Sequence, residues 1–290
     1  MAKRKTGKAA TFIFTLIFFA GISIMLYPIV SNWWNSKVQS KAVASYNETI
    51  EKIDTEALEN MLEEAREYNR KLARVDEPFL FYDKVPGYNH ILDVSGTGVM
   101  GYISIPVINV DFPIYHGTGE EVLSIAAGHF QGSSLPVGGK TTHSVISAHR
   151  GLPTAKLFTD LDKVVVGDTF TITILNEIFT YEVEDITIVT PDDLSNIRVV
   201  PGEDYVTLMT CTPYGVNTHR LLLRSKRIDT IYRSNAKVTS DAMQVDSMAV
   251  FPVVCLPLIM LLVLYWVMGG RSAKKTSVSK IKYELLFESF

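Results

Sequence analysis

Cysteine is scarce in this chain of 290 residues, where it occurs only twice. Two cysteines exclude a disulfide-rich scaffold and a zinc site with four cysteine ligands. The 18 glycines and 12 prolines are likewise too few for a collagen or a disordered linker protein. Charge is absent from two long runs, one near each end of the chain. Between these runs lies a polar segment of about the size of one domain.

The two uncharged runs are long enough to cross a membrane. Residues 9–30 contain no charged side chain, and a helix of that length rises about 33 Å at ~1.5 Å per residue. Residues 249–268 are also uncharged, and their two prolines are tolerated within a membrane helix. No Ala-x-Ala cleavage signal follows the first run, whereas Trp33 and Trp34 follow it as in an interfacial aromatic belt. We predict two transmembrane helices, the first of which is an uncleaved anchor.

Basic residues flank both predicted spans on the sides toward the chain ends. They are Lys3, Arg4, Lys5 and Lys8 before the first span, and Arg271, Lys274, Lys275, Lys280 and Lys282 after the second. By the positive-inside rule, the tails at residues 1–8 and 269–290 are cytoplasmic, and residues 31–248 lie outside the cell. This outer segment has 19 basic and 29 acidic residues, a net charge of −10. A surface that acidic does not hold a polyanion, so nucleic acid is excluded as a partner, while the lipid bilayer is expected as one.

Residues 36–74 of the outer segment have the pattern of a helix. Glycine and proline are absent there, and apolar residues recur at roughly helical spacing. We predict a helical spacer over residues 31–75 that lifts the following domain off the bilayer and packs one stripe against it. Proline and glycine then return and begin a loop, assigned to residues 76–98.

Strand patterns begin at residue 99. Most of the runs are rich in β-branched and aromatic residues and are bounded by Gly, Pro, Asp or Asn. The predicted strands are residues 99–105, 110–115, 143–148, 169–175, 178–189, 205–210 and 220–225, with a hairpin turn at Asn176-Glu177 and short helices at residues 120–127 and 154–161. Many short strands with few helices indicate a mainly β domain, a sandwich or a closed barrel, over residues 99–230. Residues 231–248 would then link this domain to the second span.

Cys211 is the one cysteine predicted to lie outside the cell, because Cys255 falls within the second span. A lone cysteine is about as often a small buried hydrophobe as a reactive group. Cys211, however, stands where a predicted strand runs into Thr212-Pro213-Tyr214-Gly215, a turn signal, and a side chain at a strand end can face a cleft. A free thiol is only ~3% ionised at pH 7, so chemistry here needs a base and a partner for an oxyanion.

Six histidines are candidates for the base. His149 ends the predicted strand 143–148 and is followed by Arg150-Gly151-Leu152-Pro153, so it also stands where a strand enters a loop. The others are His90, His116, His129, His143 and His219. His143 lies ~20 Å from His149 along the same strand, and His219 points to the opposite face from Arg220 if that strand is regular. His90, His116 and His129 are expected in loops or turns, where most histidines are surface groups.

Arg220 opens a strand nine residues after Cys211, across a loop short enough to return beside it. A guanidinium in that place lowers the pKa of a thiol and donates hydrogen bonds to a developing oxyanion. The alternative for any single arginine is a surface charge, and the spacing alone does not decide between the two.

Three motifs surround these candidate positions. Residues 207–211 read Thr-Leu-Met-Thr-Cys, residues 147–151 read Ser-Ala-His-Arg-Gly, and residues 132–139 read Gly-Ser-Ser-Leu-Pro-Val-Gly-Gly. The first matches the sortase signature Thr-Leu-x-Thr-Cys, and with Arg220 downstream the sequence resembles the sortase family over about residues 99–224. The resemblance implies a closed eight-stranded sortase β-barrel and a cysteine transpeptidase at a Gram-positive cell surface.

The resemblance also implies a mechanism. The thiolate of Cys211 attacks the Thr–Gly bond of an LPxTG-like sorting signal, His149 protonates the leaving amine, and Arg220 stabilises the oxyanion. A lysine amine of another subunit then resolves the thioester as an isopeptide bond. No cofactor is implied.

Two features are similar to class C sortases, which polymerise pilins: a second span after the barrel and an acid-Pro-aromatic element before it. The usual lid there is Asp-Pro-aromatic, whereas this chain reads Asp76-Glu77-Pro78-Phe79. Either Glu77 replaces the aspartate or an insertion displaces Asp76, and an acid near the thiol or the arginine would strengthen closure. Phe79 is the expected plug. A plain connecting loop is the alternative to a lid.

The implied partners are pilin subunits that carry an LPxTG-like sorting signal and an acceptor lysine.

Three other functions fit part of the pattern. A sortase that anchors surface proteins to peptidoglycan would use a cell-wall amine in place of lysine, and a hydrolytic cysteine peptidase would use water. A catalytically inactive, membrane-tethered binding module would leave Cys211, His149 and Arg220 without a role, and their joint presence argues against it. The sequence does not distinguish the acceptors.

Overall fold

The structure is a computed structural model that describes residues 3–230, with side chains from Ile13 onward. The helices in this part are α1 (Lys3–Ile50), α2 (Thr55–Leu72) and α3 (Glu120–Leu123). The strands are β1 (Val99–Ile105), β2 (Val110–His116), β3 (Ala127–His129), β4 (Thr142–Ser147), β5 (Thr169–Ile174), β6 (Glu177–Val189), β7 (Asp204–Thr212) and β8 (His219–Ile228). The predicted linker, second span and C-terminal tail, residues 231–290, lie outside the described residues.

The strands close into a barrel in the order β1-β2-β3-β4-β7-β8-β6-β5. The pairs β2/β3 and β4/β7 are parallel, and the other pairs are antiparallel. Inward-facing apolar side chains such as Ile103, Ile114, Ile146, Ile172 and Leu208 are fully buried and fill the barrel. Closure leaves no free sheet edge. The predicted closed eight-stranded β-barrel is confirmed, and its strand order places β7 between β4 and β8.

Helix α1 is continuous from the first predicted span into the predicted spacer. Its stretch beginning at Ile13 is long and apolar enough to cross a membrane, and its most apolar window is not buried against the protein. Further along, the buried Tyr46 joins the helix to the barrel. Its hydroxyl donates to Met100 O (3.0 Å) in β1 and accepts from Leu175 N (2.7 Å) after β5.

The region predicted as one helix over residues 36–74 is divided in two. Helix α1 ends at Ile50, and Asp54 is the N-cap of α2, its carboxylate accepting from Ala57 N at 2.8 Å. Such a cap stabilises a helix start because it satisfies a free backbone N–H group. The break lets α2 bury its own apolar stripe in the core, made of Leu58, Leu62, Ala65, Tyr68 and Leu72.

The predicted helix over residues 154–161 is wrong. The structure has an irregular loop there, followed by a single 3₁₀ turn, Leu161–Lys163. Phe158 N donates to His149 O (3.1 Å) and not to Thr154 O, which accepts from Asn35 of α1 at 2.7 Å. Phe158 N and Thr154 O, which a helix would pair with each other, are therefore bonded to other segments.

Two further elements differ from the sequence pattern. Helix α3 ends at Leu123, because Ala127–His129 forms β3, a three-residue strand that the pattern did not indicate. The hairpin between β5 and β6 is displaced by one residue. Ile174 pairs with Glu177, so the turn is Leu175-Asn176, with Leu175 at φ 53°.

Candidate active site

Cys211 lies near the end of β7, directly opposite Arg220 of β8. The antiparallel register pairs these two residues, and Thr212 with His219 is the last pair before the connecting loop. Directly opposed residues of antiparallel strands point to the same face, with Cβ atoms about 4.5–5.5 Å apart. The thiol is free and partly exposed. The fold thus sets an arginine beside a thiol on the outer face of the barrel.

His149 follows β4, the neighbour of β7 on the side away from β8. The parallel register pairs Ser147 with Met209, and a hydrogen bond from Ala148 N to Met209 O (3.2 Å) continues the pairing past the end of β4. One residue further along, His149 is level with Cys211. The three candidate residues therefore lie in one row across adjacent strands, with the thiol in the middle.

The two flanking side chains of this row are bonded to other groups. His149 Nε2 lies 3.2 Å from Oε2 of Glu120, the first residue of α3. Arg220 Nη1 donates to the backbone carbonyls of Asn217 (3.3 Å) and His219 (3.1 Å). Among the described residues, no hydrogen bond joins either side chain to the thiol. Exposed hydrogen bonds each contribute only about 1 kcal/mol, so side-chain rotation can bring both groups toward the sulfur, and such contacts are often loose before substrate binds.

The row offers a nucleophile, an acid–base group and a cation, which is the set of groups that acyl transfer requires. Over residues 13–230, no cluster of three or more His, Cys, Asp or Glu side chains could hold a metal ion. The thiol, the imidazole and the guanidinium of the row point to acyl-transfer chemistry.

The segment of residues 76–79 lies across the outer face of the barrel. Its backbone rests on Gly132, in the loop between β3 and β4: a Cβ atom on this glycine would lie 2.6 Å from both Pro78 O and Phe79 Cα. Gly132 also has φ +87°, a conformation that side chains disfavour. Only glycine therefore fits under the segment without displacing it.

Phe79 packs in a small apolar cluster outside the barrel core. Its buried members are Val145, Ile197 and Leu222, and its partly buried members are Phe79, Phe130, Val189, Leu194 and Met209. The rings of Phe79 and Phe130 are 5.8 Å apart. Met209 is two residues before Cys211 in β7 and pairs with Leu222, so it lies on the same face about 6.6 Å along the strand. Phe79 therefore covers the barrel face next to the thiol.

Glu77 is the acid of this segment that forms an ion pair. Its two carboxylate oxygens lie 2.8 and 3.1 Å from Nη2 of Arg198, in the loop between β6 and β7. The sequence left open whether Asp76 or Glu77 is the lid acid and pointed to Cys211 or Arg220 as its neighbours, whereas the ion-pair partner of Glu77 is Arg198. Glu77 adopts φ 52°, a left-handed conformation that costs about 1–2 kcal/mol, so the ion pair and the packing of the segment offset backbone strain.

The barrel domain resembles known proteins in sequence and in fold. The family model described as the sortase domain matches residues 103–228. Sortase A of Streptococcus agalactiae serotype III (strain NEM316) is 32% identical over 117 residues, which are 39% of this chain and 47% of that protein. The chain thus spans about half the length of that curated relative.

Solved structures match this chain over nearly their whole length. Streptococcus agalactiae sortase C1, in complex with MTSET, is 47% identical, and the match covers 64% of this chain and 97% of that one with a TM-score of 0.60. The chain belongs to the sortase family. Sortases are cysteine transpeptidases. Sortase C of Streptococcus pneumoniae is 40% identical, with 66% of this chain and 97% of that one covered and a TM-score of 0.58.

Arg150 of this sortase joins the loop after β4 to the loop after β7. Its side chain is 9% exposed and forms an ion pair with Asp162. Its Nη1 lies 3.5 Å from Thr212 Oγ1, and its guanidinium lies 5.9 Å from the centre of the Tyr214 ring. These contacts hold together the residues that adjoin the candidate base and the thiol. Sequence reasoning missed Arg150, because no local pattern shows that its acidic partner is twelve residues away.

His143 supports the loop that carries Arg198. It is 1% exposed, its Nδ1 donates to Arg198 O (2.9 Å), and the hydroxyl of Thr207 donates to its Nε2 (2.7 Å). The carbonyl can only accept, so this contact determines the tautomer. Burial lowers the pKa of His143 to about 4, so the ring is neutral near pH 7. The sequence set this residue aside as a base, and its contacts support the loop that carries Arg198, the partner of Glu77.

His129 was expected in a loop or turn but belongs to β3 and is fully buried. Its Nε2 donates to Ser134 O (2.8 Å), and its Nδ1 lies 3.0 Å from the Tyr88 hydroxyl. Burial lowers the pKa of His129 to about 4. His129 and His143 are thus neutral structural groups, which leaves His149 as the partly exposed histidine level with the thiol.

Proposed function

We propose that this sortase is a membrane-anchored class C enzyme that cleaves an LPxTG-like sorting signal of a pilin subunit and joins it to a lysine of another pilin. The observation that carries the proposal is the row formed by Cys211 and Arg220, paired across β7 and β8, and by His149 just beyond the end of β4. In such a row a proton carrier, a nucleophile and a cation can all reach one substrate carbonyl.

Acylation begins at the thiol of Cys211. His149, released from Glu120, takes the thiol proton, and the thiolate attacks the carbonyl carbon of the threonine–glycine bond. Arg220 turns from its loop carbonyls and donates hydrogen bonds to the oxyanion that forms. The C–N bond then breaks, His149 returns the proton to the leaving glycine amine, and a thioester to Cys211 remains.

In the second step the acyl group is transferred from Cys211 to an amine, and His149 now accepts the amine proton. A neutral lysine amine of the next pilin attacks the thioester carbonyl, and its proton passes to His149. The C–S bond breaks, the Cys211 thiolate leaves, and an isopeptide bond joins the two subunits. A cell-wall amine in place of lysine would make the enzyme a peptidoglycan-anchoring sortase, and water would make it a hydrolase.

The class C assignment is supported by the structural neighbours and by the segment at residues 76–79. The Streptococcus agalactiae neighbour is a sortase C1, and the Streptococcus pneumoniae sortase C structure was described as informing catalysis and pilin substrate specificity. Phe79 of this chain covers the face beside the thiol, in the manner that a lid requires.

The lid in this proposal keeps the sorting signal away from the thiol. Phe79 occupies the apolar cluster next to Met209, where an apolar residue of the signal would otherwise bind, and the Glu77–Arg198 pair holds the segment down. Full burial of an aromatic side chain stabilises by roughly 1.5–3 kcal/mol, so partial burial of Phe79 with an exposed ion pair gives a lid that opens readily.

Membrane anchoring is supported by the apolar, uncovered stretch of helix α1. The uncharged residues 249–268 supply the second proposed span, and the basic tails at both chain ends place both termini in the cytoplasm. The barrel then lies outside the cell, where the sorting signals of surface proteins are exposed.

Covalent capture and polymerisation test this function. The purified chain is incubated first with a sorting-signal peptide and then with a pilin subunit. We expect a thioester adduct and a ladder of multimers with the wild type and with the control Cys255→Ala, and neither with Cys211→Ala. An adduct that is resolved only by a cell-wall amine would instead support peptidoglycan anchoring. A wild type that forms no adduct would leave the inactive binding module and overturn the proposal.

A further inference from the structure

A polar stripe runs along helix α1 just beyond its apolar stretch. Asn32, Asn35 and Gln39 are partly covered by the rest of the protein and recur at intervals of three and four residues, so they share one helix face. Trp33 and Trp34 lie between them in sequence and remain 56% and 63% exposed. The helix thus presents its amides to the barrel and its indoles to the surroundings.

The amides of this stripe bond to the two segments that flank His149. Asn35 Nδ2 donates to Thr154 O (2.7 Å), and Asn32 Oδ1 accepts from Lys156 N (2.7 Å), both in the loop that follows His149. Gln39 Nε2 donates to Ile125 O (2.6 Å), just after α3.

Helix α3 begins with Glu120, the partner of His149. Both the loop that follows the candidate base and the segment that supplies its acidic partner are therefore seated on α1. The helix that carries the predicted span is in direct contact with the active-site loops.

The spacing along α1 gives the distance of this loop from the bilayer. Asn32 and Asn35 are two and five residues beyond residue 30, the end of the predicted span, and thus about 3 and 8 Å further along the helix axis. The headgroup layer on each side of a bilayer is about 5–8 Å thick. Thr154 and Lys156, bonded to these two amides, consequently fall at headgroup depth.

The side chains of the loop suit a polar layer. Lys156 and Lys163 both pair with Asp160, at 2.8 and 2.9 Å, and their side chains remain 44% and 66% exposed. Mixed charges of this kind are stable among headgroups but not in hydrocarbon, while exposed indoles are typical of the membrane interface. Along the helix axis, the exposed indoles and the charged loop therefore lie at the same level.

We propose that the loop of residues 154–163 docks on the lipid headgroup surface, seated there by Asn32, Asn35 and Gln39 of helix α1, so that the active site works at a fixed height above the bilayer. This inference rests on the proposed membrane anchoring of α1. It follows that the enzyme acts best on a sorting signal presented at one particular distance from the membrane, because the row that contains Cys211 cannot move freely away from the surface.

The full chain in nanodiscs of phosphatidylcholine and phosphatidylglycerol tests the docking without reference to activity. A nitroxide label is attached at Lys156→Cys in a Cys211→Ala, Cys255→Ala background, and its depth is measured from relaxation by oxygen and by a water-soluble nickel complex. We expect headgroup depth, and we expect Asn32→Ala with Asn35→Ala to shift the label toward water. Asn47→Ala is the matched control, since its amide makes no hydrogen bond among the described residues and alanine favours the helix equally in all three variants.

A second readout uses the unlabelled enzyme with its native cysteines. Loss of two hydrogen bonds should speed amide exchange in residues 154–158 about tenfold in the double variant. Turnover of a free sorting-signal peptide should stay within twofold of wild type, whereas turnover of the same peptide tethered to the bilayer should fall by threefold or more at the optimal tether length.

The outcomes separate the inference from the function on which it rests. A label that is water-exposed in the wild type, or tethered-peptide rates that are equal in wild type and double variant, would overturn the docking. A chain that does not integrate into the nanodisc would overturn both the anchoring and the docking. Failure to turn over the free peptide would refute the transpeptidase function, while the depth of the label would still decide the docking.

Discussion

Cys211 and Arg220 are direct cross-strand partners of β7 and β8, yet the Arg220 guanidinium is bonded to the carbonyls of Asn217 and His219. The strand pairing sets the distance between the two backbones, so side-chain rotation alone can bring the cation to the thiol. His149 is in the same situation, with its ring bonded to Glu120. The row is therefore in place, while its two flanking side chains are bonded to groups other than the thiol.

Loss of the Arg220 guanidinium is expected to slow acylation. Arg220→Ala should reduce the rate of thioester formation with a sorting-signal peptide by about 10²–10³, since one oxyanion donor typically contributes that much. Arg220→Lys should also fail, because an ammonium lacks the planar fork. Arg224→Ala is the control on the same strand and face, where the arginine lies 3.8 Å from Glu184 and Asp185. Near-normal acylation by Arg220→Ala would show that this role is wrong.

Opening of the proposed lid should make the thiol more reactive. Phe79→Ala removes the ring from its cluster, and deletion of residues 76–79 removes the whole segment, so alkylation of Cys211 should speed up several-fold in the first variant and more in the second. Peptide mass spectrometry separates this modification from that of Cys255. Equal alkylation rates in wild type and deletion would identify the segment as a plain loop.

The Glu77–Arg198 ion pair should contribute less to closure of the proposed lid than the Phe79 ring does. Arg198 and Glu77 are both about half exposed, at 53% and 49%, and pairs of this kind contribute roughly 0.2–1 kcal/mol. Glu77→Gln should therefore speed alkylation of Cys211 by no more than about fivefold, and high salt should reproduce the effect in wild type. Asp76→Asn, at a position with no ion pair in the described structure, serves as the control. A larger effect of Asp76→Asn would mean that the lid acid has been misassigned.

Asp162 is expected to contribute more to stability and turnover than the exposure of its side chain suggests. It is half exposed, but its partner Arg150 is nearly buried and would lose the one ion pair that it forms within residues 13–230. Asp162→Asn should lower the free energy of unfolding by about 1–3 kcal/mol and reduce turnover, because Arg150 holds the loop after His149 against Thr212. Urea unfolding and peptide cleavage measure the two effects. Asp192→Asn, at an exposed acid, should change neither, and a neutral Asp162→Asn would refute the bracing role.

Two buried histidines should make stability depend on pH. The pKa values of His129 and His143 are lowered by burial to about 4, whereas in the unfolded chain a histidine titrates near 6.5. Between these values the unfolded state binds more protons, so stabilisation that is complete above pH ~6.5 is lost as the pH falls toward 4, by up to about 3 kcal/mol per histidine.

Urea unfolding of the full chain in detergent at pH 7, 5.5 and 4.5 measures this dependence. Replacement of both histidines by glutamine, which keeps a donor and an acceptor, should flatten it even if the protein becomes less stable overall. An unchanged slope in the double variant would show that other groups cause the acid sensitivity.

Most strands were predictable because their signals are local. Alternating apolar residues and bounding turn residues located seven strands to within a few residues, and β1 was predicted with its observed bounds. The three-residue β3 was not predictable, since its pairing with β2 and β4 gives it its conformation. The helix expected at residues 154–161 failed for a related reason: Asn32 and Asn35 of the distant α1 take its backbone groups.

The residues of the candidate site were likewise predictable only where their signals are local. Cys211, His149 and Arg220 stand at strand ends within short motifs, so residue type, spacing and resemblance were enough to select them. Arg150, Arg198 and Glu120 carry no such signal. Their contacts join residues 12, 121 and 29 positions apart in the chain, and only folding shows which charged side chains meet.

By itself, the order of residues determined which groups are available: an apolar anchor, a run of β-forming segments, and a thiol, an imidazole and a guanidinium at segment ends. Chain order does not contain the strand order of the barrel, which sets β7 between β4 and β8 and so brings residues 149, 211 and 220 level with one another. Tertiary packing also decided that the Glu77 carboxylate meets Arg198 and that helix α1 supports the loop after His149. The physical reason is that propensity and periodicity act over a few residues, whereas barrel closure and side-chain pairing depend on which distant surfaces bury each other best.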